Sequence, residues 1–434
     1  MHEAHPVGLT ITDDLQRRRL TVFFRIILVI PHAIWLFLWS IAVALAAIVG
    51  WFAALFTGRL PAGLHRFFCS YIRYSTHVYA YFLLVANPWP EFTGAPGRYP
   101  VDITLPDLPE RQSRWKVFFR LFLALPALAL SAVLGGGFGF SNSASTRSGN
   151  SSASTGAQAS GLSVATAFLG WFASMATGRM PSGLRDAGGY GLGYKAQAAA
   201  YFLLVTERYP NSDPTALLAT VERPPVHPVH MVGDSEDLRR SRLTVFFRFP
   251  LAIPHLVWLI LWSILVWALS IVQWLVTLIA GRPWRPLNRF FSSWIRYAFH
   301  VYAFLFLVAN PFPGFTGRFG TYPLDLVLPE PAKQNRWKTL FRGLLAFPAL
   351  VVATALGLAL VLDAVLIWFY ALALGRAPEG LRNLSAYALR YTAQFDAYFF
   401  FLTDRYPHAS PLEGGEAADE MEETKTPAAD VEAA

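Results

Sequence analysis

One cysteine, five methionines and five lysines are all that 434 residues contain of these types. With Cys69 alone, neither an internal disulfide nor a cysteine-rich metal site can form. Charged residues make up only 15%, well below the roughly 25% of soluble domains. That shortage argues against two or three ordinary soluble domains, which the length alone would allow. No phosphate-binding glycine loop, nucleophile elbow or paired-carboxylate motif is present. Nothing in the sequence therefore predicts a cofactor, a metal site or an enzyme. The first residues, Met1–Leu15, are polar and lack an apolar signal core. Membrane insertion is expected to be directed by internal segments.

What is present points to a bilayer. Hydrophobic residues reach 54%, with 14 Trp, 17 Tyr and 35 Phe, and the mean hydropathy is +0.38. Such aromatic enrichment is expected where rings sit at the membrane–water interface. The net charge of +8 is unevenly spread, because Glu413–Ala434 holds eight acids and one base. Residues 1–412 thus carry 35 basic against 20 acidic side chains. The bases are mostly arginines flanking apolar runs. That placement fits anionic lipid headgroups better than nucleic acid.

The chain repeats itself. An offset of 223 aligns Leu20 through Tyr99 with a second copy without a gap, so that Pro31 falls on Pro254, Tyr74 on Tyr297 and His77 on His300. A fainter copy lies inside each half: Arg25, Pro31 and Gly58-Arg59 recur as Arg120, Pro126 and Gly178-Arg179. The organisation is A–B–A–B. Unit A1 covers residues 6–99, B1 100–214, A2 226–322 and B2 323–411, followed by an acidic tail at 412–434 with the composition of a disordered segment.

Each unit has three parts. A short alternating stretch, such as Val101–Leu105 or Leu324–Leu328, predicts a strand outside the membrane. A long apolar run follows; Leu20–Thr57 is about 57 Å as one helix, against ~30 Å of hydrocarbon. Pro31 is the expected break, leaving Leu20–Ile30 at the interface and His32–Thr57 to span. Gly-Arg-x-Pro then stops the helix, and a more polar segment (Ala62–Ala86 in A1) begins. Counting that segment as spanning gives eight crossings, with both termini in the cytoplasm from the arginines preceding each run. Unit B1 carries a Ser/Gly-rich insert, 135–161, which enters near the position of Ser40. A polar loop there has to reach water. Either the long run is a hairpin of two short helices, or B1 has lost its regular span.

Two sets of residues stand out as candidate sites. Arg59, Arg179, Arg282 and Arg376 of the Gly-Arg turns are candidates for binding lipid headgroups, or they snorkel at helix ends. On the second helix, Tyr74, Tyr194, Tyr297 and Tyr391 align. Three residues on stand His77, Gln197, His300 and Gln394, and four after those Tyr81, Tyr201, Phe304 and Tyr398. These share one helical face. They line a solute path, or they hydrogen-bond between helices. His32 and His255, and His227 with His230, lack the further ligands a metal needs. Asp363 and Asp396 lie within apolar stretches but have no counterpart in B1.

The frame Phe-Phe-Arg … Ile-Pro-His … Gly-Trp-Phe-Ala-Ala-Leu-Phe-Thr-Gly-Arg-Leu-Pro, with Arg-Tyr-Pro closing the B units, resembles the bacterial membrane domain-of-unknown-function family 4389. The resemblance implies a multi-pass membrane protein and supplies no activity. The expectation is an all-α membrane protein of four tandem helical repeats in two pseudo-symmetric halves, with short extramembrane strands. Functionally it is expected to be a non-catalytic organising or interaction protein of the plasma membrane, partnered by the bilayer, its anionic lipids and other membrane proteins. The alternative is a transporter or channel using the Tyr–His/Gln stripe.

Overall fold

A computed structural model describes residues 5–136, 161–233 and 238–414. The chain divides into two compact units, one over residues 1–181 and 187–210, the other over 182–186 and 211–434. Apart from one turn at 182–186, these are the A1–B1 and A2–B2 halves. Insert residues 137–160 and tail residues 415–434 lie outside the described residues.

In A1 the order is β1 (Gly8–Ile11), α1 (Arg19–Phe23), α2 (Arg25–Leu28), α3 (Ile30–Thr57) and α4 (Ala62–Phe82). B1 follows with β2 (Val101–Thr104), α5 (Arg114–Phe118), α6 (Arg120–Gly135), α7 (Leu162–Thr177) and α8 (Ser182–Phe202). A short α9 (Pro214–Leu217) leads to β3 (His230–Val232), α10 (Arg242–Phe246), α11 (Arg248–Ala280) and α12 (Arg285–Leu305) of A2. B2 closes the series with β4 (Asp325–Val327), α13 (Arg336–Leu340), α14 (Arg342–Leu374) and α15 (Glu379–Phe399).

Three of the four prolines do not break their helices. Pro254 and Pro348 lie inside continuous 33-residue helices, and Pro126 inside α6. The bend comes about two turns earlier, at Phe24, Phe119, Phe247 and Phe341, where each five-residue helix hands over to the next helix. In A1 a further turn at Val29 separates α2 from α3 two residues before Pro31, close to the expected break, whereas in the other three units the helix that starts at the arginine runs through its proline. Pro31 stands at the start of α3, where a missing N–H costs little. Pro126, Pro254 and Pro348 lie in the second turn of their helices, where each leaves one carbonyl of the first turn without its usual N–H.

The stops behave as the sequence predicts. Gly58, Gly178, Gly281 and Gly375 all cap their helices with φ between 69° and 74°, a left-handed conformation that glycine adopts without a Cβ penalty. The second helices end on a different device. Leu84, Leu204, Leu307 and Phe401 take φ of 61–65° despite their side chains, and each is buried. Left-handed strain of about 1 kcal/mol per site is offset by that burial.

Three helices, Arg25–Thr57, Arg248–Ala280 and Arg342–Leu374, are long and apolar enough to cross a membrane. In B1 the corresponding run is two 16-residue helices, α6 and α7, that meet where Ser163 Oγ donates to the Leu134 carbonyl at 3.1 Å. The second helices α4, α8, α12 and α15, counted in the eight crossings, are not among these three. They carry arginines and buried tyrosines, with histidines in α4 and α12, and within each unit they are more polar and more buried than the long helices.

Within each half, A and B exchange contacts reciprocally. β1 pairs antiparallel with β2, and β3 with β4. The Gln112 N–H donates to Gly58 O (2.9 Å), while Arg17 N–H donates to Gly178 O (2.8 Å). The second half repeats the exchange with Gln334 on Gly281 and Arg240 on Gly375. The tryptophans follow suit: Trp51 Nε1 donates to Val117 O and Trp171 Nε1 to Val22 O, then Trp274 to Thr339 O and Trp368 to Val245 O. Every A unit therefore ends on the start of its B unit, and the reverse.

Candidate functional site

The Tyr–His/Gln stripe sits on the inner faces of α4, α8, α12 and α15. Its twelve residues, Phe304 included, are at most 3% exposed, and each position has one job. At the first position, Tyr74 OH meets His32 Nδ1 at 2.8 Å beneath the Trp39 ring. Tyr297 repeats this with His255 and Trp262. The B units have alanine in place of that histidine, and Tyr391 OH turns instead to the Ala349 carbonyl at 3.3 Å. Tyr194 is buried in α8.

The second position clamps the strands. His77 Nε2 lies 3.3 Å from Asp102 Oδ1 on β2, which Arg73 Nε also approaches at 3.3 Å. The same carboxylate accepts the N–H groups of Gly97 and Ile103. His300, Arg296 and Asp325 repeat the arrangement at 3.0 and 3.1 Å. Burial works against charge on Asp102. The hydrogen bonds from His77 and the two backbone N–H groups outweigh it and hold the carboxyl at about 2. Asp325 is lowered for the same reasons. In the B units Gln197 Nε2 donates to Val7 O at 2.7 Å, and Gln394 Nε2 to Val229 O at 3.0 Å. Each of the four residues thus holds a chain segment at the start of the other unit in its half.

The third position is a platform for an arginine. Arg25, Arg120, Arg248 and Arg342, of the Phe-Phe-Arg frame, lie 4.1–4.6 Å above the rings of Tyr81, Tyr201, Phe304 and Tyr398. All four arginines are 2% exposed, so their guanidinium groups are taken up by the protein and are not turned to the surroundings. Arg25 donates to the carbonyls of Tyr81 and Ala86 and to Asn87 Oδ1. Arg248 does the same with Phe304, Ala309 and Asn310. Arg120 and Arg342 add Gln112 Oε1 and Gln334 Oε1. A guanidinium presents five donors, enough to satisfy the carbonyls left open where the second helix ends on its left-handed residue. Hydropathy alone conceals this role, since an arginine between apolar runs looks like a boundary marker.

Arg59, Arg179, Arg282 and Arg376 remain exposed and form no ion pair among the described residues. The backbones of three of them bridge the facing unit, at Arg111, Gln16 and Arg239. Arg19, Arg242 and Arg336 donate to the last-turn carbonyls of Ala176, Ala373 and Ile279, where a helix C-terminus favours cations. Exposed arginines therefore gather around every Gly-Arg turn.

Other candidates are modest. His227, His230 and His408 line a cavity of about 20 Å³ with Arg390 and Gln394, room for roughly one water. Among the described residues no group of three or more His, Cys, Asp or Glu is placed to hold a metal. Asp363 accepts from Ser385 Oγ deep in α14. A groove of about 570 Å³ along α11 is lined by Leu256, Leu259, Ile260, Ser263, Ile264, Trp267 and Tyr302. It is apolar, and the Ser263 hydroxyl is already engaged by Leu259 O and Trp294.

A family model for the domain of unknown function DUF4389 matches residues 19–93, 242–316 and 336–410. These cover A1, A2 and B2; B1, with its insert, lies outside the matches. No curated protein and no solved structure matches the chain.

Proposed function

The chain belongs to the DUF4389 family, and we propose that it is a non-catalytic, membrane-embedded organising protein. The observation that carries this reading is the use already made of the stripe. Its histidines hold aspartates, its glutamines hold backbone carbonyls, and its tyrosines other than the buried Tyr194 meet histidines, arginines or carbonyls. A solute path needs polar groups facing water, and these face one another. The same absorption of polar groups speaks against general acid–base chemistry, which needs a titratable group within reach of a substrate. Its setting is the plasma membrane, with anionic lipids and other membrane proteins as partners and the termini cytoplasmic.

The transporter reading draws on the paired repeats and the groove along α11. Reconstitution decides between them. Purified chain in anionic vesicles is expected to pass small neutral, anionic and cationic solutes no faster than empty vesicles. Flux above that background, abolished by His77→Ala together with His300→Ala, would establish transport instead.

A further inference from the structure

We propose that the long helices of each unit lie along the membrane, embedded in one leaflet, and do not cross it. The surface they fit is the acyl layer of a single leaflet beneath anionic headgroups. This requires only that the chain is membrane-embedded and stands apart from the scaffold reading.

The first argument is symmetry. Lys195 Nζ stands 3.5 Å over the Tyr79 ring, and a Cβ at Gly188 would lie 3.3 Å from Val85. As α4 runs towards its end, α8 runs towards its start, so the two are antiparallel. Arg17 closes this arrangement by donating to Leu84 O, after α4, while its N–H holds Gly178 O, before α8. Arg240 does the same with Leu307 O and Gly375 O. Each half thus has an approximate twofold axis perpendicular to its helices. The axis runs through the two-stranded sheet, whose central pairs in the first unit are Leu9↔Ile103 and Thr10↔Asp102.

Such an axis can lie in the bilayer plane or along its normal. In the plane, the long helices cross, and the sheet falls at mid-membrane depth. That sheet has an exposed Thr104, open edges and the Arg73–Asp102 ion pair. Hydrocarbon does not tolerate unpaired strand edges, and ionised groups there are costly. Along the normal, the sheet faces water, the inner helices lie beneath it, and the long helices form the face turned to lipid.

Dimensions and charge agree. Exposed large apolar side chains run from Leu20 to Phe56 and again from Leu243 to Ile279, a stretch of about 54 Å as helix against a hydrocarbon core of ~30 Å. Both ends of that stretch are equally basic, with Arg18, Arg19 and Arg179 exposed at one and Arg59, Arg111 and Arg114 at the other. A crossing helix normally concentrates such residues on one side. Two equally basic ends at the same depth match one anionic surface. The Ser/Gly-rich insert of B1 also leaves its helix near the midpoint, between Gly136 and Gly161. In a crossing helix that point is the centre of the hydrocarbon; in a lying helix it is near the headgroups.

The test uses the full chain in anionic vesicles, carrying Cys69→Ala and one exposed cysteine at a time. Spin labels at Leu20→Cys, Leu38→Cys and Phe56→Cys report depth through oxygen and nickel-chelate accessibility. Equal depths within one leaflet are expected. A middle position far deeper than both ends, or three water-exposed labels, would overturn the proposal. Leu243→Cys, Leu261→Cys and Ile279→Cys repeat the measurement in the second unit should the first set misfold. Arg18→Cys and Arg59→Cys are expected to react with an impermeant maleimide from the same side; reaction from opposite sides would overturn it. A crossing profile leaves the solute-flux result untouched, so the two readings fail separately.

Discussion

The indole N–H of Trp51 donates to the carbonyl oxygen of Val117 at 2.8 Å, and the matching tryptophan of the other unit, Trp171, returns the bond to Val22 at 3.1 Å. One tryptophan of each unit is therefore anchored on the first turn of the other. This reciprocity, more than any single site, defines the molecule.

Trp51→Phe keeps the ring and deletes the donor, so it should cost about 1 kcal/mol, the usual net value of a hydrogen bond. Trp171→Phe should cost about the same. The two bonds share no partner, so the double variant should lose the sum of the two. Thermal unfolding in detergent measures it.

Replacing Arg25 by Leu leaves the carbonyls of Tyr81 and Ala86 unpartnered and removes the cation above the Tyr81 ring. A loss of about 3 kcal/mol is expected, in the range seen when one member of a buried polar set is removed. Arg25→Lys should recover only part of it, since an ammonium lacks the planar fork. Chemical denaturation of the three proteins gives the comparison.

Asp102 carries a pH dependence of definite sign. Its folded-state value, about 2, lies below the ordinary 3.8, so the folded chain binds that proton less tightly than the unfolded one. The resulting stability, about 2 kcal/mol, is present above pH ~4 and is lost as pH falls through ~2. Asp102→Asn should be less stable than the parent at pH 6 and converge with it near pH 2. Unfolding curves collected across that window test the sign.

Two glycines should respond in opposite directions. Gly58 has φ +73° and ordinary space around a Cβ, so Gly58→Ala costs about 1 kcal/mol from the backbone alone. Gly357, inside α14, has nothing within 4 Å of a Cβ. Gly357→Ala should stabilise by about 0.5–1 kcal/mol through helix propensity. Melting temperatures of the pair suffice.

Much of this was legible in the chain because it is local. The Gly-Arg stops, the strands at Val101 and Leu324 and the repeat frame follow from turn chemistry, alternation and self-alignment. Partnership was not legible. A four-residue strand carries no label saying which other strand it meets, and here the partner of β1 lies more than 90 residues on. Arg25 read as a boundary residue because hydropathy records its charge and not the carbonyls it caps. Asp102 and Arg73 do recur at Asp325 and Arg296 under the 223-residue offset. That recurrence, applied to polar residues in the strands, was the available signal for the clamp.

The reciprocal exchange has a consequence for how such chains can be shortened. Cutting a half between A and B removes, in one stroke, the mate of its strand, the acceptor of its tryptophan and the acceptor for the N–H at Arg17 or Gln112. A gene encoding one repeat would encode half of a closed figure. Its product could complete itself only by borrowing from a sister molecule turned the opposite way. The smallest self-sufficient piece of this architecture is a pair, whether one chain supplies both members or two chains supply one each.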